Sequence, residues 1–382
     1  MDENTEVRLS EREIERLGIL RRIQKGELTQ VSAGKLLDLC ERQVRRLVGR
    51  LKREGIRALV HGNRGKPSNR RLKEREKRQI EKLYEDKYAG FNLTHYREML
   101  QEREKMAAPS REVIRQVLLA AGLWERSRKA AKHRLRRARR EREGELLQID
   151  ASMHPWLGEG KPDAALVGGI DDATSEVTWA LFAAGETTEA YFEWLREILI
   201  RRGVPGALYG DRDSIFQVNN ARDVQNLQAQ GRKPETQFGR ALRELGIEWI
   251  SAHSPQAKGR IERLWGTFQD RLLNELRLVK PQTLEEANEY LHKHFLPRYN
   301  RQFRVPAVQE ERAYRPAPSA VRREAALCWK ETRILARDHT FSFEGKVWQV
   351  LPCTIAPALN GRRVDVRRIL RGSIQAWLGD HK

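Results

Sequence analysis

Three acidic residues fall where a plain solvated charge is not expected. Asp150 closes the apolar run LLQID, and Asp211 closes a second apolar run, ALYGD. Glu262 lies in SPQAKGRIERLWG, beside the stripe Ile261, Leu264, Trp265, Phe268 and Leu272, whose spacing packs a helix onto a sheet. A carboxylate at the tip of a buried strand is costly unless something cationic sits beside it. Mg²⁺ takes oxygen ligands and keeps several waters, so two or three carboxylates suffice to hold it. Two such ions about 3.5–4 Å apart activate an attacking oxygen and stabilise a leaving oxygen at a phosphodiester. Asp213, two residues past Asp211, is an alternative to it. Asp171 and Asp172 read as turn formers, and His154 in SMHPW reads as a loop histidine or a substrate contact.

The charge of the chain names the substrate class. Its 382 residues carry 73 Lys or Arg against 53 Asp or Glu, a net charge of +20. A balance this basic calls for a polyanionic partner, and nucleic acid leads. No run of about 18 apolar residues exists to span a bilayer, and the polar start MDENTEVRLSERE has no apolar core of a signal peptide. The cysteines Cys40, Cys328 and Cys353 are far apart and show no metal or disulfide spacing, which predicts a reducing, cytoplasmic setting.

The elements that must position these residues follow in order. Residues 10–60 read as a helix-turn-helix: Ala33, Leu36 and Leu37 face inward, Asp38 to Cys40 turn, and Val44, Leu47, Val48 and Leu51 bury the second helix. Its outward residues Arg42, Gln43, Arg45 and Arg46 are of the types that bond base edges in a major groove. The linker HGNRGKPSNR reads either as a flexible basic connector or as an extended strip that offers Arg64 and Lys66 to a minor groove. Residues 71–125 form a second helical unit, itself resembling a helix-turn-helix. Residues 126–145 are a basic linker, within which Arg126 to Arg140 holds nine Lys or Arg and no acid. Residues 146–300 read as β-β-β-α-β-α-β-α, a mixed five-stranded sheet with helices packed on it. The polar stretch VNNARDVQNLQAQGRKPE reads as a loop inserted before the helix TQFGRALRELG. Residues 325–382 turn to strands and predict a small DNA-binding β-barrel.

At these residues the chain resembles the DDE transposases and retroviral-type integrases with an RNase H-like core. It is most similar to bacterial insertion-sequence transposases of the ISNCY type. The resemblance rests on LLQIDAS, LVGGIDDATSEVTWALF, TTEAYFEWLREIL, ALYGDRDSIFQVN, TQFGRALRELGIEWI and HSPQAKGRIERLWGTFQDRLLNELRL, and covers residues 25 to 310. It implies a multidomain protein: all-α DNA-binding units, an α/β core and a C-terminal barrel. It implies Asp150, Asp211 and Glu262 as catalytic residues and ligands of two Mg²⁺ (or Mn²⁺) ions, with Lys258, Arg260 and Arg263 on phosphates. Its partners would be double-stranded DNA, as terminal inverted repeats and as target. A homodimer or larger assembly in the bacterial nucleoid would join the ends. The rival expectation is a non-catalytic DNA-binding regulator derived from a transposase.

Overall fold

The computed structural model describes residues 7–65, 71–125, 138–158, 160–229, 234–252, 259–351, 361–370 and 372–377. The chain divides into two compact units, Met1–Gln79 and Ile80–Lys382.

The first unit holds α1 (Glu11–Gln24), α2 (Gln30–Leu37) and α3 (Glu41–Glu54), closed by a 3₁₀ turn at Gly55–Leu59. Local chemistry sets each start. The Ser10 N–H donates to Glu13 Oε2 at 2.8 Å, the Ser32 N–H to Thr29 Oγ1 at 3.2 Å, and the Cys40 N–H to Gln43 Oε1 at 3.2 Å. Asp38, at φ 50°, takes the left-handed conformation that ends α2. Leu20, Ala33, Val44, Val48, Leu51 and Leu59 form the core. Leu36 departs from its expected inward place and is 59% exposed. Gly34 faces in instead, where α2 passes so close to Leu39 that a Cβ would lie 2.6 Å from the Leu39 carbonyl oxygen.

The second unit is built on a five-stranded mixed sheet, as expected. Its strands are β1 (Leu146–His154), β2 (Ala164–Asp171), β3 (Val177–Ala183), β4 (Ala207–Gly210) and β5 (Glu248–Ser251), in spatial order β3-β2-β1-β4-β5. The first three pair antiparallel, and β1, β4 and β5 pair parallel. On one face lie α7 (Thr188–Arg201) and α9 (Gln237–Leu245), packed on Leu147, Ile149 and Leu208. On the other lies α10 (Gly259–Val279), packed with Leu166 and Ala180. The stretch expected to be a loop contains a short helix, α8 (Ala221–Ala229).

Two adjacent glycines let tryptophans close both faces. A Cβ on Gly169 would lie 2.4 Å from Trp194 Cζ2, and one on Gly168 would lie 3.0 Å from Trp265 Cη2. Gly169→Ala is therefore expected to destabilise the unit by about 1–3 kcal/mol, as overpacking does. The urea midpoint would report it, and an unchanged midpoint would show that Trp194 can retreat.

The free edge of β3 is covered by side chains. α11 (Leu284–Tyr290), a π-helical turn at Leu291–Phe295 and α12 (Leu296–Phe303) follow one another along it. Asn288 accepts from the Phe182 N–H at 2.7 Å and donates to its carbonyl at 2.9 Å. Asn300 does the same for Val177 at 2.9 and 3.0 Å, and His292 Nε2 reaches the Ala180 carbonyl at 2.8 Å. These groups satisfy backbone that an exposed edge would offer to another strand.

The helices α4 (Glu74–Asp86), α5 (Leu93–Glu102) and α6 (Arg111–Ala120) precede the sheet in sequence. From Ile80 onward they pack around Tyr84, Tyr88, Phe91 and Tyr96. Polar contacts join α5 to α10: Arg271 with Glu98 at 2.6 Å and His95 with Glu275 at 2.8 Å.

After α13 (Ala320–Ala326) come β6 (Cys328–Ile334), β7 (Thr340–Phe343), β8 (Lys346–Gln349), β9 (Arg363–Ile369) and β10 (Ile374–Trp377). The β7–β8 hairpin turns at Glu344-Gly345. The expected closed barrel is not formed among the described residues. The strands make an open three-stranded sheet, β10-β9-β6, and a separate pair, β7-β8. Part of the reason is that β6 is drawn to the helical layer: Gln237 Nε2 donates to the Lys330 carbonyl at 2.9 Å and Trp329 packs edge-on against Phe192. Among the described residues, no helix is long and apolar enough to cross a membrane.

Candidate active site

The parallel register brings the two aspartates together. Leu146, Leu147 and Gln148 of β1 stand opposite Ala207, Leu208 and Tyr209 of β4, a constant offset of 61 residues. Carried two residues further, the same offset sets Asp211 beside Asp150. Neighbouring strands are roughly 4.8 Å apart, and paired residues of parallel strands point to the same face. Asp150 does not end its strand as expected, because β1 continues to His154 along β2. What ends there is the ladder to β4, so the two carboxylates stand where the strands part.

The same face of β1 carries α10. Alternate residues Gln148, Asp150 and Ser152 meet helix residues four apart. The Ile261 N–H donates to Gln148 Oε1 at 3.3 Å, Trp265 Nε1 to Asp150 Oδ2 at 3.1 Å, and Gln269 Nε2 to Ser152 Oγ at 3.2 Å. Glu262 is exposed, in the first turn of α10 and three residues before Trp265. Positions three apart share a helix face, so Glu262 stands one turn from the residue that touches Asp150. Asp213 is spent on its turn, with Oδ1 accepting from the Ile215 N–H at 2.8 Å; its own N–H donates to Asp211 Oδ1 at 3.0 Å.

A further acid carries no local signal in the sequence. Glu186, in the turn between β3 and α7, accepts a hydrogen bond from the Tyr191 hydroxyl at 2.7 Å. Burial pushes its carboxyl above the usual range; Tyr191 opposes this, and Asp150, Asp213 and Asp211 add to it. The four acids thus share one field. Among the described residues, no group of three His, Cys, Asp or Glu side chains is gathered to hold a metal ion.

Basic groups surround the start of α10. Arg260 Nε is 2.9 Å from the buried Asp172 Oδ1, and Arg263 is exposed. Burial lowers the pKa of Arg139, and the charges of Arg260 and Arg263 lower it further. Lys258 lies outside the described residues.

The sequence is related along most of its length to known proteins. It is 36% identical over 377 residues to a Sinorhizobium fredii protein described as "Putative transposase y4bF", covering 98% of this chain and 80% of that one. The chain belongs to the transposase family. It is also 30% identical over 367 residues to the transposase for insertion sequence IS1202 of Streptococcus pneumoniae, covering 86% of this transposase and 76% of that one. A helix-turn-helix domain family matches residues 15–68. A chain of the cryo-EM structure of a simian T-cell lymphotropic virus intasome in complex with PP2A regulatory subunit B56 gamma covers 78% of this chain and 95% of its own. Its identity is 12% and its TM-score 0.33, a superposition too poor to carry an inference about fold.

In the helix-turn-helix domain of this transposase, α3 presents Arg42, Gln43, Arg45 and Arg46, all exposed. Two of them are already engaged. Gln43 caps its own helix, and Arg45 pairs with Glu41 at 2.6 Å. Arg64 is tied to Glu13 at 2.7 Å and donates to the Arg8 carbonyl. The Ser10 N–H first, and then Arg64, hold the Glu13 carboxyl down at about 2. Lys66 lies outside the described residues.

Proposed function

We propose that this transposase of an insertion sequence binds its element's terminal inverted repeats through its N-terminal helical units and carries out metal-dependent 3′-end cleavage and strand transfer. The reading that residues 10–60 and 71–125 bind DNA, with Arg42, Gln43, Arg45, Arg46, Arg64 and Lys66 as contacts, belongs to this proposal. So does an RNase H-like identity for residues 146–300, and a homodimer or larger assembly that holds two ends.

One observation carries the catalytic part. The β1–β4 register, extended two residues past its last pair Gln148–Tyr209, aligns Asp211 with Asp150, and Asp150 meets α10, the helix that bears Glu262. The donor set fits hard divalent cations: carboxylate oxygens only, whose charges add to the burial that raises Glu186. Asp150, Asp211 and Glu262 would hold two Mg²⁺ or Mn²⁺ ions, whose chemistry is to activate the attacking oxygen and stabilise the leaving one. Lys258, Arg260 and Arg263 would hold phosphates around these acids. Water first attacks the phosphodiester at the element end and leaves a 3′-hydroxyl. That hydroxyl then attacks a target phosphate, joining element to target and releasing a target 3′-hydroxyl.

The test uses the full chain, Mg²⁺ and labelled terminal-repeat DNA. Strand-transfer products should form and should vanish with a chelator while repeat binding persists. Repeat binding without products in either Mg²⁺ or Mn²⁺ would leave a DNA-binding regulator as the function.

A further inference from the structure

Asp171 and Asp172 are neighbours at the end of β2, and both are fully buried. Asp171 makes the turn. Its Oδ1 accepts from the Thr174 N–H at 2.8 Å and from the Thr174 hydroxyl at 2.9 Å, and its Oδ2 accepts from the Gly144 N–H at 2.7 Å. The turn therefore has its carboxylate without Asp172.

Asp172 reaches elsewhere. Its Oδ1 accepts from Gln148 Nε2 at 2.8 Å and from Arg260 Nε at 2.9 Å. Its Oδ2 accepts from the Arg140 N–H at 2.9 Å. Gln148 passes the link on, since its Oε1 accepts from the Ile261 N–H, one of the first N–H groups of α10 that no helical carbonyl satisfies. Gln148 stands two residues before Asp150 on the same strand face. Arg260 stands two residues before Glu262 on the same helix. One buried carboxylate thus grips the strand of the first acid and the helix of the third, each two residues along the chain from that acid.

We propose that Asp172 is a positioning residue, which through Gln148 and Arg260 fixes the separation of Asp150 and Glu262 and so the fit of a divalent cation between them. The inference rests on the carboxylate reading given above. Asp172 is buried beneath the start of α10 and acts through other side chains. Trp265 completes the frame one turn further along: its N–H holds Asp150 while its ring lies over Gly168, the residue opposite Asp150 in β2. Arg260 accordingly has a structural task besides any contact with DNA, and its side chain is only 11% exposed.

The experiment compares wild type, Asp172→Asn, Arg260→Lys and Glu262→Gln as full-length proteins. Asp172→Asn keeps the shape but removes the charge and one acceptor. Arg260→Lys keeps the charge but withdraws the Nε donor, and it stands in if the asparagine variant does not fold. Mn²⁺ binding is read without DNA, by the loss of the free-ion signal in electron paramagnetic resonance. Strand transfer is then titrated with Mn²⁺. Partners that orient metal ligands are typically worth 10- to 100-fold in affinity. Asp172→Asn should weaken Mn²⁺ binding and raise the half-saturating Mn²⁺ for strand transfer by about tenfold or more. Arg260→Lys should move both the same way, and terminal-repeat binding by Asp172→Asn should not change. Glu262→Gln should be inactive at every Mn²⁺ concentration. If Glu262→Gln is active, the carboxylate reading itself fails. If it is inactive while the folded Asp172 or Arg260 variant binds Mn²⁺ as wild type does, the positioning role is overturned and the carboxylate reading stands.

Discussion

Asp211→Asn is expected to remove strand transfer while leaving terminal-repeat binding intact, and Asp213→Asn is expected to leave both near wild type. The two residues are close in sequence and chemically alike, so the pair isolates geometry. The β1–β4 register, extended two residues past Gln148–Tyr209, aligns Asp211 with Asp150. Asp213 is exposed and gives an oxygen to the Ser214 hydroxyl and the Ile215 N–H, a local turn that an asparagine can also make. A carboxamide presents one neutral oxygen where a carboxylate presents two sharing a charge, so it is a poor ligand for a hard cation. A cation's stabilisation of transition-state charge is worth several kcal/mol. At 1.36 kcal/mol per tenfold, the loss should be roughly 10³-fold or more. Asp150→Asn should behave as Asp211→Asn does. The reading is checked on a gel that resolves strand-transfer products, with mobility shift of the same DNA as the binding control. Full activity in Asp211→Asn together with inactivity in Asp213→Asn would exchange the two roles.

The strands were legible because a sheet covered on both faces demands near-continuous apolar runs, and LLQID, LVGGID and ALYGD are such runs. The acids at their ends were legible for the same reason. The register was not, since no local pattern states that Ala207 pairs with Leu146. Asp171 and Asp172 show how far types and spacing go. Adjacent and identical, they both read as turn residues, yet one makes the turn and the other reaches Gln148 and Arg260, which are remote in sequence. Glu186 is not legible in the sequence for a related reason: its neighbours Asp150 and Asp211 come to it only through the fold. Leu36 reads as inward by its type, while packing at the turn requires a residue without a side chain, and Gly34 takes the place. The barrel was inferred from strand count and composition. Those do not reveal that β6 spends backbone groups and Trp329 on the helical layer.

Glu275→Gln should strongly destabilise the second unit. Glu275 is fully buried on α10 and is bound from three other helices. His95 Nε2 of α5 lies 2.8 Å from its Oε1, the Tyr290 hydroxyl of α11 donates to its Oε2 at 2.5 Å, and Arg298 of α12 forms an ion pair with it. Arg298 also lies 3.7 Å from Glu102, and Arg103 donates to the Tyr290 hydroxyl at 2.9 Å. Burial pushes the Glu275 carboxyl up, but the hydrogen bond from His95 and the charge and hydrogen bond of Arg298 outweigh it and bring it to about 2. Removing the charge leaves Arg298, only 22% exposed, facing a neutral amide where its fully buried partner stood. Breaking a buried pair on one side costs about 3–5 kcal/mol. At roughly 2–4 °C per kcal/mol, Tm should fall by about 10 °C. The sign of the pH effect follows from the lowered value. A carboxyl whose folded pKa is depressed contributes stability that is present above its unfolded pKa and is lost as pH falls toward the folded one. The Tm gap between wild type and variant should therefore hold steady from neutral pH down to the usual carboxylate value of 4.5, then narrow toward about 2. Calorimetric scans from pH 7 to pH 3 measure it. A gap that stays constant over that range would mean that the amide's shape, and not the missing charge, is what the site rejects.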